Sequence, residues 1–187
     1  MVKRVFSAVL VIFGLIGPSL AIAAETSLTR VLFIGNSYLY YNDSLHNHVK
    51  RMASEHFSDM ASRDFQYKSA TIGGARLQHH DIEWLLTPGK LGVDRPFQAV
   101  IMQGGSFEPL TAGTRKVFVD TASHYAKKVR AVGGKPFLYM THAYVSPHRR
   151  AEPGMINLIV DTYRHAGREA EAEVIPVGLA FERSYKA

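Results

Sequence analysis

The stretch that decides the fold is Val31–Ser37, which reads VLFIGNS and runs on into Tyr38–Asp43, YLYYND. Its first four residues are apolar and partly β-branched, as in a strand that is buried on both faces. The next three form a polar turn, and a segment with helical periodicity follows. This order places Ser37 at the carboxyl edge of a sheet, where open α/β sheets bind ligands. A serine in that position can act as a nucleophile when a base reaches it, although capping of the turn is the alternative role.

Outward from this stretch, five strand candidates alternate with four helix candidates. The alternation predicts a three-layer α/β/α, flavodoxin-like domain with a five-stranded parallel sheet. The predicted strands are Arg30–Ile34, Phe65–Thr71, Ala99–Gln103, Pro136–Met140 and Glu173–Val177. The predicted helices are Ser44–Phe57, Arg76–Leu86, Thr114–Val132 and Gly154–Ala172. After Val177 we expect the closing C-terminal helix to be missing or incomplete, which would uncover apolar surface along strands one and five and favour self-association.

The N-terminus has the pattern of a secretory signal peptide. Lys3 and Arg4 precede the apolar run Val5–Ile16, and Ala21–Ala23 forms a small-x-small cleavage site. The run is shorter than the ~20 residues of a membrane span. We therefore predict a signal peptide at residues 1–23, a single domain at residues 24–187, a periplasmic or secreted location and no stable membrane anchor. The chain has no cysteine, which excludes a lipoprotein and leaves stability to the core without disulfides.

The charge and the remaining motifs exclude several classes of function. The net charge of +6 is scattered over the chain, and the small basic clusters Lys127–Arg130 and Arg149–Arg150 indicate solvated faces, so no nucleic-acid partner is expected. His46 and His48 are two residues apart on a predicted helix and do not share a face, so no metal site is predicted. The sequence lacks phosphate-cradling glycine motifs, and we expect no cofactor.

Val31–Asp43 resembles the first block of the SGNH (GDSL-like) hydrolase superfamily, and it is most similar to bacterial exported members whose first strand reads VLFIGNSYTYYND. Later segments follow the order and spacing of the family: Ile72–Gly74, Val100–Pro109, Phe137–Tyr144 and Val174–Glu182. The resemblance implies a serine esterase that acts on small acyl esters, including acylated carbohydrates. It implies Ser37 as the nucleophile, with its own backbone N–H in the oxyanion hole. Asn36 stands where the family more often has Asp.

The resemblance also suggests the other site residues. Gly74, or alternatively Gly73, would offer a backbone N–H to the oxyanion after the second strand. After the third strand the family has an Asn donor, and here Ser106 or Gln103 would have to replace it. Asn36, Gly73 and His142 are expected to line the substrate pocket.

The catalytic base is missing from the expected place. The family carries an Asp-x-x-His block after the last strand, whereas the last histidine here is His165 and the last aspartate is Asp161. The simplest account is a chain that stops before this block. Either the protein is an esterase whose base is an unusual histidine or lies outside this sequence, or it is an inactive relic or binding module with the same fold. His79–Asp81 follows the glycine pair and could approach the same edge of the sheet, although the sequence favours a polar helix start for it.

Overall fold

One sheet of five parallel strands organises the computed structural model, which describes residues 27–187. The strands are β1 Arg30–Gly35, β2 Gln66–Thr71, β3 Ala99–Met102, β4 Lys135–Tyr139 and β5 Glu173–Ile175. They are hydrogen-bonded in the order β2-β1-β3-β4-β5, every pair parallel. The predicted α/β class is confirmed, and each predicted strand boundary lies within two residues of the observed one. The predicted signal peptide, residues 1–23, lies outside the described residues.

Six α-helices accompany the sheet in residues 27–187. They are α1 Ser37–Tyr40, α2 Leu45–His56, α3 Ile82–Leu86, α4 Ala112–Ala131, α5 Met155–Ala170 and α6 Val177–Lys186. The single helix predicted for Arg76–Leu86 is wrong, because a 3₁₀ turn at Leu77–His79 precedes a separate α3. The Asp81 carboxylate starts α3 by accepting the Trp84 N–H at 3.0 Å, so the predicted polar helix start is confirmed.

A ten-residue helix, α6, follows β5 where the sequence indicated a missing or incomplete closing helix. The helix is therefore present and short. Its first turn lies directly against the end of β4, since a Cβ placed on Gly178 would lie only 2.1 Å from the carbonyl oxygen of Thr141. Glycine is what allows this approach.

The two faces of the sheet are covered unequally. Alternate strand residues such as Leu32, Val100 and Leu138 face α4 and α5 and form the larger core cluster. On the opposite face α2 packs against β2, and Val31 and Phe33 of β1 are buried. The apolar residues Ile101, Phe137, Tyr139 and Ile175 on that face stay half-exposed. The uncovered region thus lies over β3–β5, and the expectation that β1 is uncovered is wrong.

The strand order puts β1 and β3 side by side, although β2 separates them along the chain. This is the switch point of an open α/β sheet, outside which a crevice forms at the carboxyl ends of the strands. The segments that leave these ends are therefore the ones to search for chemistry. No helix within residues 27–187 is both long and apolar enough to span a membrane.

Candidate active site

Ser37 is the first residue of α1 and directly follows the Asn36 N-cap at the end of β1. The side-chain oxygen of Asn36 accepts the Tyr38 N–H at 3.1 Å, which turns the chain sharply out of the strand. The Tyr41 N–H then donates to the Ser37 carbonyl oxygen at 3.2 Å and closes the single turn. This local structure leaves the Ser37 side chain half-buried at the carboxyl edge, where a nucleophile is predicted.

Asn36 is a buried positioning residue. Its Nδ2 donates to the carbonyl oxygens of Ala75 at 3.0 Å and Gly104 at 3.4 Å. One amide therefore holds together the segments that follow β1, β2 and β3. The sequence placed Asn36 in the wall of the substrate pocket, but its side chain is only 5% exposed and its polar atoms are engaged by the protein.

The glycine pair after β2 forms a tight turn beside Ser37. The Ile72 N–H donates to the Gly35 carbonyl at 3.2 Å and extends the ladder with β1, and Ala75 N–H then closes a turn onto the Ile72 carbonyl at 3.1 Å. Gly74 has a φ of +68°, which favours glycine at the third position of such a turn. A Cβ on Gly74 would meet no atom within 4 Å, whereas one on Gly73 would lie 3.3 Å from the Tyr40 hydroxyl. Of the two glycines, Gly74 is the one with open space above it.

Gln103 does not have an amide available for an oxyanion. Its side chain is fully buried, its Oε1 accepts the Asn36 backbone N–H at 3.2 Å, and its Nε2 donates to the Gly104 carbonyl. The reason is that Gln103 still belongs to the sheet, because its own N–H donates to Ile34 at 2.8 Å. Gln103 therefore holds the end of β1 through its hydrogen bond with the Asn36 N–H, and the expectation that it could donate to substrate is wrong.

Ser106 lies in the segment after β3 and keeps a half-exposed side chain. Its Oγ is 2.6 Å from the hydroxyl of Tyr144, which comes from the segment after β4. The phenol of Tyr38 belongs to the same group of hydroxyls: burial raises its pKa, and a hydrogen bond from Ser106 opposes that shift. The hydroxyls of Tyr38, Ser106 and Tyr144 thus form one group, to which the residue after Ser37 contributes. Sequence reasoning missed Tyr38 and Tyr144, whose only signal is an aromatic residue just after two strand ends.

His142 follows β4 and is clamped between two aromatic rings. Its ring stacks on Tyr38 with 4.5 Å between centroids and lies 4.9 Å from the ring of Phe181 in α6. Its Nδ1 is 3.0 Å from the Ala143 carbonyl oxygen, which can only accept, so Nδ1 is the donor in this hydrogen bond. This environment fits the predicted pocket-lining role, and no hydrogen bond joins His142 to Ser37.

The other histidines near this edge differ in their surroundings. His80 is buried and its pKa is lowered by burial, while a hydrogen bond to the Gly35 backbone opposes that shift. Its carbonyl oxygen accepts a hydrogen bond from the Tyr125 hydroxyl, and its Nε2 has no hydrogen-bond partner among residues 27–187. His79 is exposed and its Nδ1 accepts the Arg76 N–H at 3.3 Å. His48 contacts the Asn42 carbonyl and Arg51 on the surface. Within residues 27–187 no three His, Asp or Glu side chains come together in a way that could hold a metal ion.

Comparison with known proteins identifies the fold. The protein-family models and the curated proteins give no match to this chain. Among solved structures, a candidate SGNH hydrolase from Slackia heliotrinireducens matches with a TM-score of 0.64 and 21% identity, over 84% of this chain and 83% of that one. The SGNH-hydrolase family esterase AlinE4 matches with a TM-score of 0.59 and 14% identity, over 83% and 79%. An acetyl xylan esterase, AlAXEase, gives 0.54 and 16%, over 77% and 75%. The chain has the SGNH-hydrolase fold.

Proposed function

We propose that this chain is a serine hydrolase of the SGNH type, in which Ser37 attacks the carbonyl carbon of a small acyl ester. The observation that carries the proposal is the place of Ser37, which is half-buried and directly follows the interior strand β1. The open Gly74 turn follows β2 and Ser106 follows β3, the two strands that flank β1 in the sheet, which supports the proposal. The esterases that share the fold support ester hydrolysis as the reaction class, and the acetyl xylan esterase supports acylated carbohydrates as one group of substrates.

In this mechanism the Ser37 Oγ bonds to the acyl carbon while the carbonyl electron pair moves onto oxygen. The backbone N–H groups of Ser37 and Gly74 donate to that oxyanion, and the Ser106 hydroxyl is the third donor. The intermediate then expels the alcohol, which takes up a proton, and leaves an acyl group on Ser37. Attack by water releases the acid and restores the serine.

The proton of Ser37 must pass to a base during the first step. We assign no described histidine to this role, because His142 is clamped between Tyr38 and Phe181 and is not hydrogen-bonded to Ser37. We assign His142 to the pocket wall, where it would contact the substrate. The same observation favours a second candidate function, an SGNH-fold module that binds an acyl ligand without turnover.

Reaction with a fluorophosphonate probe tests the proposal, since such probes bond covalently to activated serines. We expect the purified protein to be labelled, the label to map to Ser37, and Ser37→Ala to abolish labelling and the hydrolysis of p-nitrophenyl acetate. Ser58→Ala, at an exposed serine in a surface turn, is the matched control and should label as the parent does.

The two candidate functions give different results. A folded protein that stays unlabelled and does not hydrolyse the ester, yet binds it in a saturable way, is the binding module. Labelling that persists in Ser37→Ala would show that another residue is the nucleophile. For the predicted export, we expect the cleaved N-terminus of material recovered from the periplasm or medium to begin at Ala24.

A further inference from the structure

A buried carboxylate lies beneath the candidate active site and has no part in the chemistry described above. Glu108 begins a short 3₁₀ helix after β3, and its side chain is 1% exposed. Removing a carboxylate from water is costly unless hydrogen bonds or charges compensate it. Its Oε1 has no hydrogen-bond partner within the described residues. Such an incompletely compensated buried acid calls for an explanation.

The carboxylate contacts both loops that approach Ser37. Its Oε2 accepts a very short hydrogen bond from the Gly105 N–H, in the loop that carries Ser106. The Leu77 backbone N–H, from the loop after β2, also acts on the carboxylate and favours its charged form. A Cβ on Gly105 would lie 3.3 Å from Glu108 Oε2 and 3.4 Å from the Ala75 carbonyl, so the two loops are packed closely around this oxygen.

The charged groups around the carboxylate come from three elements. Arg76 of the β2 loop interacts with it electrostatically, and its guanidinium lies 4.7 Å from the centre of the Phe107 ring. The pKa of the Tyr163 phenol in α5 is raised mainly by burial, and the nearby charge of Glu108 raises it further. From α4, Arg115 donates to the neighbouring Pro109 carbonyl at 2.9 Å, and the Thr114 hydroxyl donates to the Glu108 carbonyl at 2.8 Å.

We propose that the Glu108 carboxylate is a positioning residue, which fixes the Gly105–Ser106 loop against the glycine turn of β2 and thereby aims both loops at Ser37. The inference rests on the proposed hydrolase function. A charged acceptor suits the task because a hydrogen bond to an ionised group is about twice as strong as a neutral one. Small errors in such a geometry matter, since a misplacement of about 1 Å can cost ~10²-fold in rate.

The stability of the protein separates this role from a purely structural one. Burial raises the pKa of the Glu108 carboxyl above its ordinary value. The folded state then binds more protons than the unfolded state between the ordinary and the raised pKa, so this group lowers stability as the pH rises through that window. Glu108→Gln has no carboxyl group to titrate, so the fall in the parent's stability to urea through that window should be absent from the variant.

The test compares Glu108→Gln with the parent for the rate of fluorophosphonate labelling at Ser37 across a range of pH. Glutamine has the same shape but lacks the charge, and its NH₂ group is a donor where the loops offer donors. We expect labelling at pH 7 to slow by about 10-fold to 100-fold. The parent should also lose rate as the carboxyl protonates on the acid side, and this step should be absent from Glu108→Gln. Glu55→Gln, at an exposed position of α2, is the control and should match the parent.

Hydrogen exchange of the peptide 103–108 provides a readout that does not need catalysis. We expect these amides to exchange faster in Glu108→Gln than in the parent. Equal labelling rates, or exchange that is unchanged, would overturn the inference, and so would a slower rate accompanied by a matching loss of stability. If the parent itself is not labelled at Ser37, the proposed hydrolase function fails, and the exchange measurement still decides whether Glu108 holds the loop.

Discussion

At the scale of single residues, one buried amide assembles the candidate site. Asn36 donates to the carbonyls of Ala75 and Gly104 and accepts the N–H of Tyr38. Two of these partners are acceptors, so they require a side chain that can donate. An ionised aspartate, the residue that the resemblance leads one to expect at this position, has no donor to offer. The environment of Asn36 thus explains why an amide suits this chain.

Replacing that amide should destabilise the fold and impair the site together. Asn36→Ala would leave the buried Ala75 carbonyl and the Tyr38 N–H without their partner, while the Gly104 carbonyl would keep only its hydrogen bond from Gln103. We expect unfolding in urea to reveal a loss of about 1–3 kcal/mol, the range for stranding buried polar groups, and we expect slower fluorophosphonate labelling of Ser37. Asn157→Ala, at an exposed position of α5, is the control. Equal stability of the two variants would contradict the positioning role of Asn36.

The sequence predicted the positions of residues that directly follow a strand. It predicted less well whether a side chain farther along the loop points into the protein or toward the substrate. Ser37 comes just after an apolar run and Gly74 just after a predicted strand, so their place at the edge of the sheet follows from the pattern. The predicted strand Ala99–Gln103 included Gln103, whose N–H donates to the Ile34 carbonyl, but only the structure shows that its side-chain amide is used up by Asn36 and Gly104. The contact of Glu108 with Leu77 spans 31 positions of sequence and leaves no local pattern.

At the scale of elements, β1, β3 and β4 were predictable because buried parallel strands are nearly continuous apolar runs. The helices were less predictable. Leu45, Val49 and Met52 of α2 have the spacing of one helix face, yet Met52 is 69% exposed. Leu45 and Val49 pack against the smaller core cluster and Met52 does not, so α2 buries only a narrow stripe. From the sequence, α6 was predicted to be absent or a short stub. The structure shows why the signal was weak: its apolar residues Leu179, Phe181 and Tyr185 are exposed, and the helix packs against the end of β4 through a glycine.

The docking of α6 makes a prediction about Gly178. In Gly178→Ala the new methyl group would collide with the Thr141 carbonyl, which belongs to the backbone and cannot yield easily. We expect a loss of about 1–3 kcal/mol, as for other overpacked sites, and faster cleavage by trypsin after Arg183. Gly113→Ala is the matched control, since a Cβ there meets nothing within 4 Å and alanine favours a helix by up to ~1 kcal/mol. Parent-like behaviour of Gly178→Ala would show that α6 does not dock as described.

At the scale of the whole molecule, the unequal covering of the sheet is the feature with the broadest consequence. The α4 and α5 face buries its apolar side chains almost completely. The opposite face buries only the part next to α2, and over β3–β5 it keeps Ile101, Phe137 and Tyr139 half-exposed. Contiguous apolar surface of this kind usually marks a contact with another molecule. This apolar surface is bounded by a polar region, in which Lys135 and Glu173 form an ion pair at 3.0 Å.

We expect this face to drive self-association, a consequence that the sequence already indicated. Sedimentation velocity over a range of protein concentrations should show the average mass rising with concentration. Tyr139→Lys places a charge in the middle of the exposed apolar region and should shift the protein toward monomer without impairing the labelling of Ser37. Met52→Lys, which changes an equally apolar but isolated side chain on the outer side of α2, is the control and should associate as the parent does. A parent protein that remains monomeric at the highest concentrations, or a Tyr139→Lys variant that associates unchanged, would show that this face is not the contact.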